Sequence, residues 1–147
     1  MGGGAWLRIG AIAGFLAVAF GAFGAHGLKD RLKPLVSDSN EEAAFKLRRL
    51  ENFETASRYN MYHALALVAV GLLALSGRPP AALSVAGWSF VIGTLIFSGS
   101  LYAYGLSGLR WLGAITPFGG IGLLIGWLAL AYAAGGVARP WPPSTGN

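Results

Sequence analysis

Two histidines, His26 and His63, are the side chains of this chain that ordinarily titrate near neutrality. The residues with which they could do chemistry are few: Tyr59, Tyr62, Ser98, Ser100, Tyr102 and Thr116. Tyr59 and His63 are four residues apart, as are Ser98 and Tyr102, so on helices each pair shares a face. Two imidazoles at similar depth on neighbouring helices could ligate haem or a metal, or pass a proton. They could equally bond serine, tyrosine or backbone and fix helix packing. A metal would want a third or fourth ligand. The carboxylates all lie between Asp30 and Glu54, with Glu54 nearest His63 in sequence. There is no cysteine, which excludes disulfides and thiolate metal sites. No nucleophile–base–orienter set can be assembled from these residues, so an enzyme is not expected.

The backbone carries one further signal, Thr116-Pro117-Phe118-Gly119-Gly120. Proline removes an amide and clashes with the preceding turn. Either a helix kinks there and frees the Gly113 carbonyl, or it breaks, with Thr116 as N-cap and Pro117 opening a new helix. Broken helices can build substrate sites in transporters. A packing kink made tolerable by Gly119 and Gly120 is the simpler reading.

The elements that must hold these residues follow from the charges. Hydrophobic residues make up 54% of the 147 and charged residues 12%, about half the usual share. Thirteen of the 17 charges lie between Lys29 and Arg58, seven positive and six negative. The others are the isolated Arg8, Arg78, Arg110 and Arg139. The net charge of +5 is therefore no basic patch, and nucleic acid is not expected as a partner. About 20 apolar residues carry a helix across a bilayer. The uncharged runs predict four transmembrane helices, near 5–27, 58–76, 82–104 and 109–134. The first run exceeds the apolar core of a secretory signal, so a span is expected there.

The linker, 28–57, is the polar stretch. Ser39-x-x-Glu42 is a capping-box pattern. It precedes Ala43, Leu47, Leu50, Phe53 and Ala56, one apolar stripe of an amphipathic helix at the membrane surface or over the bundle. Glu42–Lys46 and Glu54–Arg58 are spaced for ion pairs. Tight connections at Ser76-Gly77-Arg78-Pro79-Pro80 and Gly105-Leu106-Ser107-Gly108 make neighbouring helices antiparallel. Residues 1–138 read as one all-α domain, a compact four-helix membrane bundle, and 139–147 as an irregular tail. Antiparallel spans bring His26, Tyr59, Tyr62, His63, Ser98, Ser100, Tyr102 and Thr116 into one leaflet. Small residues at four-residue spacing, Gly10 and Gly14, Ala17, Gly21 and Ala25, and Gly122 and Gly126, mark packing faces. Trp6, Trp88 and Trp111 are placed as interfacial aromatics, and Trp127 deeper.

Four ordered motifs resemble one family. They are Gly21-Ala22-Phe23-Gly24-Ala25-His26, Tyr59-Asn60-Met61-Tyr62-His63-Ala64-Leu65-Ala66, Phe97-Ser98-Gly99-Ser100-Leu101-Tyr102, and Thr116-Pro117-Phe118-Gly119-Gly120 followed by Gly126-Trp127. Their order resembles the domain of unknown function 423 family, which includes the transmembrane protein 256 proteins of animals. The resemblance runs from about Ile9 to Ala134. It implies a small four-helix protein of bacterial inner membranes or of mitochondria, and no activity or cofactor. The linker here looks longer and more charged than the family's short bacterial pattern, and the tail less basic. Counting Lys and Arg puts the linker inside and both termini outside. The basic tails of bacterial relatives suggest the reverse, and the orientation stays open.

The expected function is that of a non-enzymatic multi-pass membrane protein, an accessory or structural subunit of a larger complex or self-associating. The alternative is a protein that binds lipid, quinone or haem through the polar leaflet around His26 and His63. A small transporter or channel using Pro117 is the third reading. The expected location is the bacterial inner membrane, with a mitochondrial membrane as alternative.

Overall fold

The computed structural model describes residues 1–75 and 80–137. The connection at Arg78 and the tail 139–147, both read from sequence, lie outside the described residues. The described chain is all-helical. Helix α1, Gly3–Phe23, runs into a π-helical turn, Gly24–Leu28, and a last α-helical turn, α2, Lys29–Arg31. Helix α3 is Asn40–Leu75, α4 is Ala81–Ser107 and α5 is Leu112–Val137. Four rods are long and apolar enough to cross a membrane, Gly3–Arg31 and the three later helices. At about 1.5 Å per residue, even the shortest exceeds the roughly 30 Å hydrocarbon core.

The amphipathic segment is helical, but it does not stand apart from the second span. Both belong to the 36-residue α3. Ser39 and Glu42 form the expected capping box: the Ser39 amide donates to Glu42 Oε2 at 2.9 Å, and the Glu42 amide to Ser39 Oγ at 3.3 Å. That use of Glu42 alters the ion pairing. Lys46 turns instead to Asp38, at 2.7 Å, and Arg58 donates to Thr55 rather than pairing with Glu54. Nothing breaks α3 between its polar and apolar halves, because 40–75 contains neither proline nor a run of turn residues.

The spans alternate in direction. Gly3 lies against Gly71, and Gly21 against Ser57; Phe90 faces Gly126, and Ser100 meets Thr116. They are not closed into a square bundle. Helix α1 packs on α3, α3 on α4 and α4 on α5, while among the described residues α1 and α5 share no extensive interface. The row has α3 and α4 inside and α1 and α5 outside. Each outer helix offers its inner neighbour a stripe of small buried residues every seven positions: Gly3, Gly10 and Ala17 on α1 with Gly24 opening its π turn, and Gly119, Gly126 and Ala133 on α5. A seven-residue repeat keeps one seam facing a partner along a gently supercoiled pair. Of the four-residue pattern expected on α1, Gly10, Gly14, Ala17 and Gly21 face α3, and Ala25 is exposed. The approach is close. A β-carbon at Gly10 would lie 2.9 Å from the Ala64 carbonyl oxygen, and one at Gly119 would lie 2.8 Å from Phe97 Cα.

Large side chains fill the space between the seams. Trp6 is a core residue rather than an interfacial one: it is 1% exposed and packs its ring on Gly87 and Trp88. Phe90, Val70 and Leu83 complete that cluster. A second cluster joins Leu28, Leu32 and Phe53, so the π turn at the end of α1 is held against α3. Arg49 of α3 caps α4, donating to the Gly105 and Leu106 carbonyls at 3.0 and 2.6 Å. A cation at a helix C-terminus satisfies carbonyls that have no partner in the helix. Gly108 ends α4 in the left-handed region, with φ of 74°, where glycine carries no Cβ penalty.

Candidate functional site

The polar residues share one end of the spans, as the antiparallel order requires, but they do not form one cluster. The α3–α4 pair divides them between its two sides.

On the side of α5 stands His63, 4% exposed. Its Nδ1 lies 2.7 Å from the Tyr59 carbonyl, and the Trp127 indole N–H donates to Nε2 at 3.3 Å. Nε2 accepting means that Nδ1 carries the proton and donates to Tyr59. Both ring nitrogens are therefore engaged by the chain itself. Tyr59 stacks beside His63 and lies 4.8 Å from Phe97, ring centre to ring centre. Tyr62 is half-exposed and touches Tyr59. These rings and Trp127 line two shallow clefts of about 550 and 380 Å3, the second floored by Pro117 and Gly120.

On the side of α1 stands Asn60, 7% exposed, whose Nδ2 donates to Tyr102 at 3.5 Å. Tyr102 packs between Phe20 and Phe53, at 4.8 and 4.9 Å. Thr94, Ser98 and Tyr102 follow one another at four-residue intervals down α4. The hydroxyls of Thr94 and Ser98 are buried without a hydrogen-bond partner. With Ile12 and Leu16 of α1 they line a lateral slot of about 370 Å3 floored by α3.

The remaining candidates serve elsewhere. Ser100 bonds Thr116 at 2.8 Å and the Phe97 carbonyl at 3.0 Å, tying α4 to α5. Thr116 also reaches back to the Leu112 carbonyl at 3.4 Å, so it is no N-cap. Helix α5 runs unbroken through Pro117, which sits only five residues from its start. Gly119 is not slack around a kink but a point of the seam against Phe97. His26 lies exposed on the π turn, and its imidazole makes no hydrogen bond, ion pair or ring contact among the described residues. The structure does not bring it to His63. No group of three or more His, Cys, Asp or Glu that could hold a metal occurs among the described residues. A haem iron at His63 would have to displace the Trp127 bond.

Asn60, Thr94, Arg49 and the Trp127 bond to His63 escape the sequence reading. Asn60 stands between Tyr59 and Tyr62, and its three-residue spacing from His63 gives no reason to place the two on opposite sides of a neighbour. Arg49 was one charge among thirteen in a linker.

Four antiparallel apolar spans, a polar helical extension and buried polar groups at one end define an integral membrane protein of the small multi-pass class. The chain belongs to the family described as Protein of unknown function (DUF423), which it matches over residues 20–120. Among similar proteins, a UPF0382 membrane protein of Staphylococcus epidermidis is 43% identical over 128 residues, 87% of this chain and 93% of its own. The UPF0382 membrane protein YwdK of Bacillus subtilis is 38% identical over 129 residues, 88% of this chain and 94% of its own. One from Haemophilus influenzae is 40% identical over 129 residues, 88% and 92% of the two chains. No solved structure matches.

Proposed function

We propose that this is a non-enzymatic structural or accessory subunit of the bacterial inner membrane, working within a complex of other membrane subunits or of its own copies. The observation that carries the reading is the bonding of His63. His63, the buried histidine of the spans, has both nitrogens committed to helix packing, to the Tyr59 carbonyl and to Trp127. A general base or metal ligand needs a free lone pair. The other span hydroxyls with partners do similar work: Ser57 donates to the Ala17 carbonyl at 2.7 Å and Ser100 pairs with Thr116. The bacterial setting of the similar membrane proteins favours the inner membrane.

Solubilisation of native membranes in mild detergent, followed by native electrophoresis and mass spectrometry, tests this. The chain is expected in a species well above its own 15.3 kDa, with constant neighbours. Migration as a lone protomer at every detergent concentration would refute the subunit role.

A further inference from the structure

The slot between α1 and α4 has the composition of a small-molecule site. Its volume, about 370 Å3, falls in the range of about 300–1,000 Å3 typical of such sites. Its walls are almost wholly apolar; Asn60, Thr94, Ser98 and Tyr102 border it, and the Thr94 and Ser98 hydroxyls lie buried just behind its surface. Trp6 against Trp88 closes one end of the α1–α4 gap, and Phe20 against Tyr102 the other. A helix about 10–12 Å across is too bulky for a slot of about 370 Å3. What fits is a slender molecule entering from the lipid.

The polar groups show what it must carry. The Asn60 amide donates one N–H to Tyr102 and has no other side-chain hydrogen bond among the described residues, so its second N–H is available to a ligand acceptor. Ser98 is 2% exposed and its hydroxyl is unpaired, as is that of Thr94. Buried polar groups are seldom left so. Serine and threonine hydroxyls redirect by χ1 rotation alone, so both can turn towards a ligand. Depth narrows the class. Thr94 is the midpoint of α4, and Ser98 lies about 6 Å from it along the axis, well inside a hydrocarbon core of about 15 Å per leaflet. Glycerophospholipids keep their ester carbonyls near the headgroups and would lay only methylenes there. A headgroup-free lipid can carry oxygen to that depth. Tyr102, bonded to Asn60, and Ser98 are one helical turn apart, a spacing met by a six-membered ring with oxygens on opposite edges.

We propose that the slot binds an isoprenoid-type quinone, its ring oxygens towards Asn60 and Ser98 and its tail along Ile12 and Leu16. The test uses decylubiquinone and the full chain in detergent micelles, read by quenching of tryptophan fluorescence. Decylbenzene, with the same tail and no ring oxygens, is the competitor. Saturable quenching is expected, which decylbenzene does not relieve. Asn60→Leu and Ser98→Ala should each weaken binding about three- to tenfold, one hydrogen bond's worth. Ser98→Ala removes a hydroxyl without a protein partner, so its melting curve should match the parent's and separate binding from folding. Ala13→Phe fills the slot and should abolish binding. Non-saturable quenching, equal competition by decylbenzene, parental binding in both polar variants, or parental binding in Ala13→Phe would each overturn the proposal.

Discussion

His63 shows how a residue that invites a chemical reading is absorbed by packing. An indole N–H donated to Nε2 and a carbonyl beside Nδ1 hold the ring in one tautomer and one orientation. His63→Leu should therefore destabilise the protein by about 1–3 kcal/mol, because the Trp127 N–H then lacks a partner in a medium without water. Trp127→Phe should cost a similar amount. The double variant should cost clearly less than the sum, since no orphaned group remains. Thermal unfolding in detergent reads all three, and strict additivity would show that the bond contributes nothing. That polar residues gather at one end was legible, because short connections dictate antiparallel spans. Their division was not. It depends on the rotation of α3 about its axis, and a helix that is apolar on most sides gives periodicity nothing to choose between.

At the scale of the element, α3 was legible in its parts and misjudged in its continuity. The cap at Ser39 and Glu42 is where the pattern placed it, and Leu50, Phe53 and Ala56 of the stripe turn inward, but Leu47 is exposed. No residue announced that the same helix would continue into the bilayer. Its start is also electrostatic. The Lys46 ammonium bonded to Asp38, helped by the Leu35 amide, holds the Asp38 carboxyl below its usual range. A depressed carboxyl contributes stability above its unfolded pKa and loses it as pH falls through the folded one. Protection factors of the first turn of α3 should thus fall as pH drops below about 3.9, and Asp38→Asn should remove that dependence. Unchanged protection in the parent across that range would contradict it. The outer helices depend on their seams. Gly10→Leu and Gly119→Leu should each cost about 1–3 kcal/mol or more, because the added side chain meets backbone on the facing helix. The equivalent change at Gly113, which faces open space, should be nearly silent, and a melting series distinguishes them.

At the scale of the whole molecule, four spans were readable from the spacing of charges alone, since charge scarcity marks a bilayer more sharply than any helix face. The arrangement was not readable. A square bundle and an open row have the same hydropathy, and small residues occur too often among 23 glycines to identify one seam. The row explains why the polar residues divide: two inner helices have two sides, and each side has its own outer helix. The absence of cysteine from the chain makes this directly measurable. A β-carbon at Gly14 would lie 3.8 Å from that of Ala64, within the reach of a disulfide. Gly14→Cys with Ala64→Cys, oxidised in native membranes, should give an intramolecular cross-link in high yield. Ile12→Cys with Ile125→Cys, on the two outer helices, should give none. Efficient closure of the second pair, or failure of the first, would contradict the open row.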